Sequence, residues 1–177
     1  MQLSVREVEI SDIEIIADYW LNSDPVFMKS LGVDLDKLPS RDEIRKHLTA
    51  QVSLGYPDKS GYGLILELDG QPIGHTSCTP IQYGVEASMH LHIWSDENRR
   101  RGLGSRLIPM ALPYFFNNLS LERLVAEPFA QNPAPNRLLS RLGYTFVKSY
   151  VTTPSSLSFE QEVIRWELTR IDFESLY

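Results

Sequence analysis

The chain has 177 residues, 42% hydrophobic and 23% charged, enough for one substantial core and short for two, so a single domain over residues 1–177 is expected. Its net charge of −6 and pI near 5.2 argue against a general nucleic-acid or anionic-membrane surface and favour amine-bearing partners. A lone cysteine, Cys78, excludes an intrachain disulfide and a cysteine metal cluster, and neither an export signal nor an apolar run near the ~20 residues of a membrane span is legible, which sets the expectation of a cytoplasmic protein.

In chain order, Leu3 to Ile10 alternates as a strand. Ser11 is expected to cap a helix with the apolar stripe Ile13, Ile15, Ile16, Tyr19 and Trp20. Residues 22 to 39 are less regular. Ser40 with Glu43 is a capping-box pattern opening a second helix, Arg41 to about Leu54, which Gly55 and Pro57 end. Tyr62 to Leu68, the turn Asp69-Gly70 and Pro72 to Thr79 read as a hairpin, and Ala87 to Trp94 as the next strand. Leu103, Leu107, Ile108, Ala111, Leu112 and Phe115 recur at helical spacing, while Pro109 and Pro113 predict a kink or interruption. Leu121 to Glu127 is a strand, and Asn132 to Leu142 a helix stopped by Gly143 in a left-handed cap. Tyr144 to Val151 and Glu162 to Thr169 close the chain as strands.

The run Arg99-Arg100-Arg101-Gly102-Leu103-Gly104-Ser105 joins a strand to a helix. Glycines there permit a tight turn, and the helix start offers unpaired N–H donors and a positive dipole end, the features of a pyrophosphate cradle. The amides carry such a site, and the arginines add charge. No Gly-Lys-Ser/Thr follows, so this is not a Walker loop, and the third glycine of the dinucleotide fingerprint is absent.

A second cluster, Ala126-Glu127-Pro128, Asn132 and Leu142-Gly143-Tyr144, accompanies the first. Together, Arg99, Gly102 and Gly104 with this cluster resemble the core of the GNAT superfamily of acyl-CoA-dependent N-acetyltransferases. The resemblance covers about 87 to 146 by motif and most of the chain by element order. It implies an α/β (α+β layered) fold: a mixed, mostly antiparallel sheet of about six to seven strands with four helices, V-shaped between the fourth and fifth strands. It further implies acetyl-CoA as cosubstrate. Pyrophosphate would rest on the turn formed by Arg99, Arg100, Arg101, Gly102, Leu103, Gly104 and Ser105, and pantetheine would pair with the strand end near His92, Ile93 and Trp94. Asn132 would contact the pantetheine, and Arg137 is a candidate near the 3′-phosphate.

For catalysis, strand alternation puts Glu86, Ser88, His90, His92 and Trp94 on one face. His90 lies where relatives acting on aromatic amines carry a strand histidine, and a histidine pKa of about 6.5 suits proton relay near neutrality. His90 is therefore the candidate base, with His92 or Glu86 assisting through water. The His90/His92 pair lacks a third ligand at metal spacing, so no metal is expected. The family's tyrosine and serine acid positions are Leu139 and Pro135 here, leaving Tyr83 and Tyr150 as candidate donors and Tyr144 as core. By the same resemblance, Trp20 to Leu54 and Val151 to Phe159 form the acceptor side, where Asp24, Asp34 and Asp36 with Trp20, Phe27 and Tyr56 would make an acidic, aromatic mouth.

The reading is an N-acetyltransferase moving acetyl from acetyl-CoA to a primary amine, of a small molecule or a protein N-terminus, by direct attack in a ternary complex. A silent CoA-binding regulator, a module with a coincidental glycine turn, and a transferase of another acyl group are the alternatives. Pairing through the strand Glu162 to Thr169 would make a homodimer.

Overall fold

The computed structural model describes residues 1–99 and 101–177. Strands β1 (Leu3–Glu7), β2 (Tyr62–Leu68), β3 (Gln71–Gln82), β4 (Glu86–Ile93), β5 (Arg123–Ala126), β6 (Thr145–Thr152) and β7 (Gln161–Thr169) form one sheet in the order β1-β2-β3-β4-β5-β7-β6. Every neighbouring pair is antiparallel except β4 and β5. That parallel ladder has only the partners Glu86–Arg123, Ala87–Leu124 and Ser88–Val125, so β4 runs on to Ile93 without β5 beside it. This is the expected wedge.

The helices are α1 (Ile13–Asn22), α2 (Pro25–Ser30), α3 (Arg41–Ser53), α4 (Leu103–Pro113), α5 (Pro133–Arg141) and α6 (Arg170–Leu176). Two more are present than the four expected, because α2 and α6 are too short for a clear apolar period. Each has a cap: Asp24 accepts from the Phe27 amide and Thr169 from the Asp172 amide.

The capping box of α3 forms as expected, with the Glu43 amide donating to Ser40 Oγ and the Ser40 amide to Glu43 Oε2. Ser11 does not cap α1. A 3-10 turn, Ile10–Asp12, intervenes, and its reciprocal cap is Glu9 with Asp12. Arg6 forks onto Asp12 at 2.7 and 2.8 Å and also reaches Glu67, which ties this turn to β1 and β2.

One face of the sheet carries the main core. Leu64, Cys78, Ala87 and Met89 meet Ile108, Leu112 and Phe115 of the α4 region, all at most 6% exposed. Burying each large side chain contributes about 1.5–3 kcal/mol. Pro109 and Pro113 remove amides from the helical ladder, and the segment widens into a π-helical turn over Tyr114–Asn118, which is the interruption they predict. The opposite face holds Tyr19, Met28 and Val33 with Trp20, Phe27 and Trp94 against them. Strand β7 lies inside the sheet between β5 and β6, so it cannot be the pairing edge. The two edges of the sheet are β1 and β6.

Candidate active site

The glycine turn has two glycines for two different reasons. Gly102 sits at φ +71, a left-handed conformation that a side chain resists, and is the N-cap of α4. Gly104 serves packing instead: a Cβ there would lie 3.1 Å from Leu138 and 3.4 Å from Leu91. The α4 N-terminus has no side-chain cap and no acidic residue in its first turn. Its first amides, including those of Leu103, Gly104 and Ser105, therefore have no intrahelical acceptor and favour an anion. The Leu103 side chain is buried, and Ser105 Oγ turns back to the Gly102 carbonyl at 2.7 Å. Arg101 is exposed and bonds Asn98, while Arg100 lies outside the described residues.

Arg99 does not point into the cradle. Its Nε donates to the Ile93 carbonyl at 2.9 Å, Nη2 to the Trp94 carbonyl at 2.7 Å and Nη1 to Asp96 at 2.5 Å. The Trp94 amide donates to Ile73, so antiparallel alternation directs the amides of Leu91 and Ile93 toward the wedge. The edge open to an extended ligand thus runs through Leu91 and Ile93, not His92 and Trp94. Asn132 caps α5, accepting from the Ala134 amide, and Arg137 is exposed on the same helix.

On the other face, the expected histidines acquire partners that sequence did not reveal. His92 pairs in register with His75 of β3, and their rings stack at 4.8 Å. His92 Nδ1 lies 2.9 Å from the Tyr19 hydroxyl, and Trp94 Nε1 donates to His75 Nδ1 at 2.8 Å. Burial, then the neighbouring histidines, push the His92 pKa well below its ordinary value; burial, then His90, takes His75 to about 3. Both are neutral near pH 7 and form, with Trp20, an aromatic wall. His92 thus stands as a neutral member of that wall, with Nδ1 against the Tyr19 hydroxyl.

His90 differs. Its Nε2 is 2.8 Å from the Thr79 carbonyl, which only accepts, so the proton sits on Nε2 and Nδ1 keeps its lone pair. Thr79 is available because the β3–β4 register breaks between Cys78 and Ile81. Burial lowers the His90 pKa, while the Thr79 bond and the charge of Glu127 oppose the fall. Glu127 occupies the position two beyond Val125, as His90 does beyond Ser88, so the two face each other across the wedge. Glu127 Oε1 accepts from the Tyr150 hydroxyl and lies 3.3 Å from Arg165 Nη1. Burial, then Glu127, raises the Tyr150 pKa.

Glu86, expected to assist His90, is instead held by Arg123 at 2.6 Å and Arg165 at 3.4 Å. Tyr83 bonds Ser120 at the β3–β4 turn, and Tyr144 is buried in the core against Met89. Tyr150 is thus the candidate donor that reaches the wedge. Tyr56 joins Glu7 and Tyr62 elsewhere, away from Trp20 and Phe27. Asp24 and Asp34 serve as caps rather than as a free acidic mouth.

Two clefts border the fold. The larger, about 680 Å³, is lined by Arg6, Glu7 and Tyr56 among others and shares no residue with the wedge. The smaller, about 400 Å³, lies between Thr79-Pro80 and Thr153–Ser156, beside the carbonyl that holds His90. The chain just after Ser156 is tied to the segment after α2: Asp34 N donates to Leu157 O, Gln161 Nε2 to Gly32 O, and Lys37 Nζ to Ser158 O, at 2.8, 2.9 and 2.7 Å. Among the described residues no group of three or more His, Cys, Asp or Glu is placed to hold a metal ion, and no helix is long and apolar enough to cross a membrane.

With this geometry in hand, comparison with known proteins is direct. The family model described as Acetyltransferase (GNAT) domain matches residues 2–145. Among solved structures, spermidine N-acetyltransferase from Vibrio cholerae in complex with CoA and spermine is similar at TM-score 0.78 and 22% identity, with 98% of each chain covered. A chimera of that enzyme with hSSAT is similar at TM-score 0.77 and 21% identity, covering 98% of this chain and 99% of its own. At that identity the likeness shows the fold. No curated protein matches the chain by sequence.

Proposed function

This chain belongs to the GNAT acetyltransferase family and is an acyltransferase that passes an acetyl group from acetyl-CoA to an amine; we propose that the acceptor is a primary amine on a slender small molecule, with His90 as the base. The observation that carries the cofactor half is the uncapped α4 N-terminus at the mouth of the β4–β5 wedge. Diphosphate oxygens would accept from the amides that begin α4, and Arg101 and Arg137 would supply charge at the rim. Pantetheine would pair as an added strand with Leu91 and Ile93. Asn132 would contact the arm through its free amide nitrogen.

In the proposed reaction the amine nitrogen attacks the thioester carbonyl carbon in a ternary complex. The C–N bond forms, the C–S bond breaks, and the amine's proton passes to His90 Nδ1, the nitrogen left free by Thr79. The departing thiolate, with an ordinary thiol pKa of about 8.5, takes its proton from water, and the His90 imidazolium returns the amine's proton to the hydroxide left behind, which restores the base. Glu127 stabilises the imidazolium across the wedge, and Tyr150 and Arg165 hold Glu127 in place. General-base assistance of this kind contributes about 10²–10⁴-fold.

The cleft of about 400 Å³ beside Thr79 supports a small acceptor over a lysine on a folded surface, and the charge of −6 supports a cationic one. Aliphatic polyamines, the substrates named for the structural neighbours, are the first class to screen. One domain over residues 1–177 and a cytoplasmic setting, supported by the lone buried Cys78, complete this reading.

We also infer a homodimer through β6. That edge exposes Phe146 at 55%, Val147 at 43% and Val151 at 64%. Its sequence, Thr-Phe-Val-Lys-Ser-Tyr-Val-Thr, sets apolar against apolar when paired antiparallel about a two-fold axis between Lys148 and Ser149.

The test is thiol release from acetyl-CoA across a panel of di- and polyamines, α-amino peptides and lysine peptides, with calorimetric titration of acetyl-CoA alongside. Turnover restricted to small amines is expected. Preference for peptides would overturn the acceptor class, and preference for a longer acyl-CoA would overturn the acetyl donor.

A further inference from the structure

The guanidinium of Arg99 bridges the end of β4 and helix α2. Its three nitrogens donate to Ile93 O, Trp94 O and Asp96, which fixes it to the end of β4 and to the turn leading into Gly102. Its outer face lies on the Phe27 ring of α2, 3.4 Å from the centroid, and the side chain is only 19% exposed. Phe27 in turn packs with Tyr19, Met28, Trp20 and Trp94 on the aromatic wall.

Helix α2 is otherwise weakly tied. Among the described residues, the hydrogen bonds made by Pro25–Ser30 reach no further than Asp24 and Val33. Apolar packing and the Arg99 stack are what hold it against the rest of the fold. Arg99 is also a poor ligand for a diphosphate as it stands, because each of its nitrogens is in use and Asp96 offsets its charge.

We propose that Arg99 is a positioning residue that transmits the state of the cofactor turn to α2, and through Phe27 sets the acceptor wall, so that it governs amine binding more than acetyl-CoA binding. This rests on the acceptor side assigned above. A diphosphate held at the α4 N-terminus would brace the turn beside Arg99, and the guanidinium would brace Phe27. A cation over an aromatic face is specific in geometry: lysine offers a point charge in place of a planar fork, and leucine offers no π face.

The experiment compares wild type with R99K, F27L and F27Y, measuring acetyl-CoA affinity, steady-state kinetics with the best amine, and hydrogen exchange over residues 25–31 with and without acetyl-CoA. R99K and F27L should raise the amine KM about 3- to 30-fold, the range of a cation–π contact, with acetyl-CoA affinity within about 2-fold. F27Y keeps the ring and should restore the wild-type KM. Exchange in α2 should slow on acetyl-CoA binding in wild type and fail to slow in R99K. A loss of acetyl-CoA affinity of about 10-fold in R99K with the amine KM unchanged would make Arg99 a phosphate ligand and overturn the proposal.

Unchanged kinetics in both R99K and F27L would overturn it as well. The F27L/F27Y contrast keeps the test decisive if R99K fails to fold. Exchange in α2 of unliganded F27L against wild type reads the clasp with neither substrate present: faster exchange is expected, and equal exchange counts against the proposal. An enzyme that binds acetyl-CoA but acetylates no amine would defeat the acceptor assignment while leaving this exchange readout intact.

Discussion

His90 and Glu127 occupy equivalent positions on β4 and β5, each two residues past the last parallel pair, Ser88 with Val125. The strands part between them, so an imidazole and a carboxylate flank the gap in which a thioester is proposed to lie. In the intact sheet the same two side chains would be lateral neighbours. The splay turns a pairing position into a site.

Replacing His90 by glutamine keeps a hydrogen-bond donor for Thr79 and removes the base. The expected result is a fall in kcat of about 10²–10⁴-fold with acetyl-CoA affinity unchanged, read by steady-state kinetics and calorimetry.

The pH profile separates the role of Glu127. Burial lowers the His90 pKa below 6.5, so the neutral base predominates at pH 7 and activity should fall on the acid side as His90 protonates. Glu127 favours the charged imidazole. E127Q should therefore move the acid limb of kcat/KM to lower pH, whereas a purely structural Glu127 would leave its position unchanged.

The two turn glycines should fail differently. G102A places a side chain at φ +71, costing about 1–2 kcal/mol, in the segment whose amides are proposed to hold the diphosphate. It should weaken acetyl-CoA binding while the fold persists. G104V crowds Leu138 and Leu91 and should destabilise the protein by about 1–3 kcal/mol, seen as a lower midpoint in urea.

Gly32 packs against the Gln161 side chain. A Cβ there would lie 2.2 Å from Gln161 Oε1, and the position has φ +86. G32A must displace the Gln161 amide, which bonds Gly32 O and Phe159 O, at a cost of about 1–3 kcal/mol. Faster hydrogen exchange at 157–161 and a raised amine KM are expected, with acetyl-CoA affinity retained.

For the edge strand, V151K places a charge in the apolar register of β6. Sedimentation should show a dimer for wild type and a monomer for the variant. A monomeric wild type would remove the β6 dimer.

The sequence by itself determined what depends on near neighbours along the chain. The Ser40–Glu43 box, the Asp69-Gly70 hairpin, the proline-disturbed helix after Gly104 and the left-handed stop at Gly143 each arise from residues a few positions apart, and each is where the local pattern puts it. Motif spacing carried the glycine turn into α4 and the order of elements for the same reason. The tertiary structure alone decided what depends on pairing between distant segments. Glu127 was visible as part of a motif, but its opposition to His90 follows from the parallel β4–β5 register, and the His75–His92 stack follows from the β3–β4 register. Glu86 is on the predicted strand face, yet Arg123 and Arg165 arrive from β5 and β7 to claim it. Arg99, which the motif points toward phosphate, is drawn to carbonyls that the end of β4 leaves unpaired and to a phenylalanine 72 positions earlier in the chain. Side-chain type sets what a residue can bind, but in these cases register and fold set which partner is within reach.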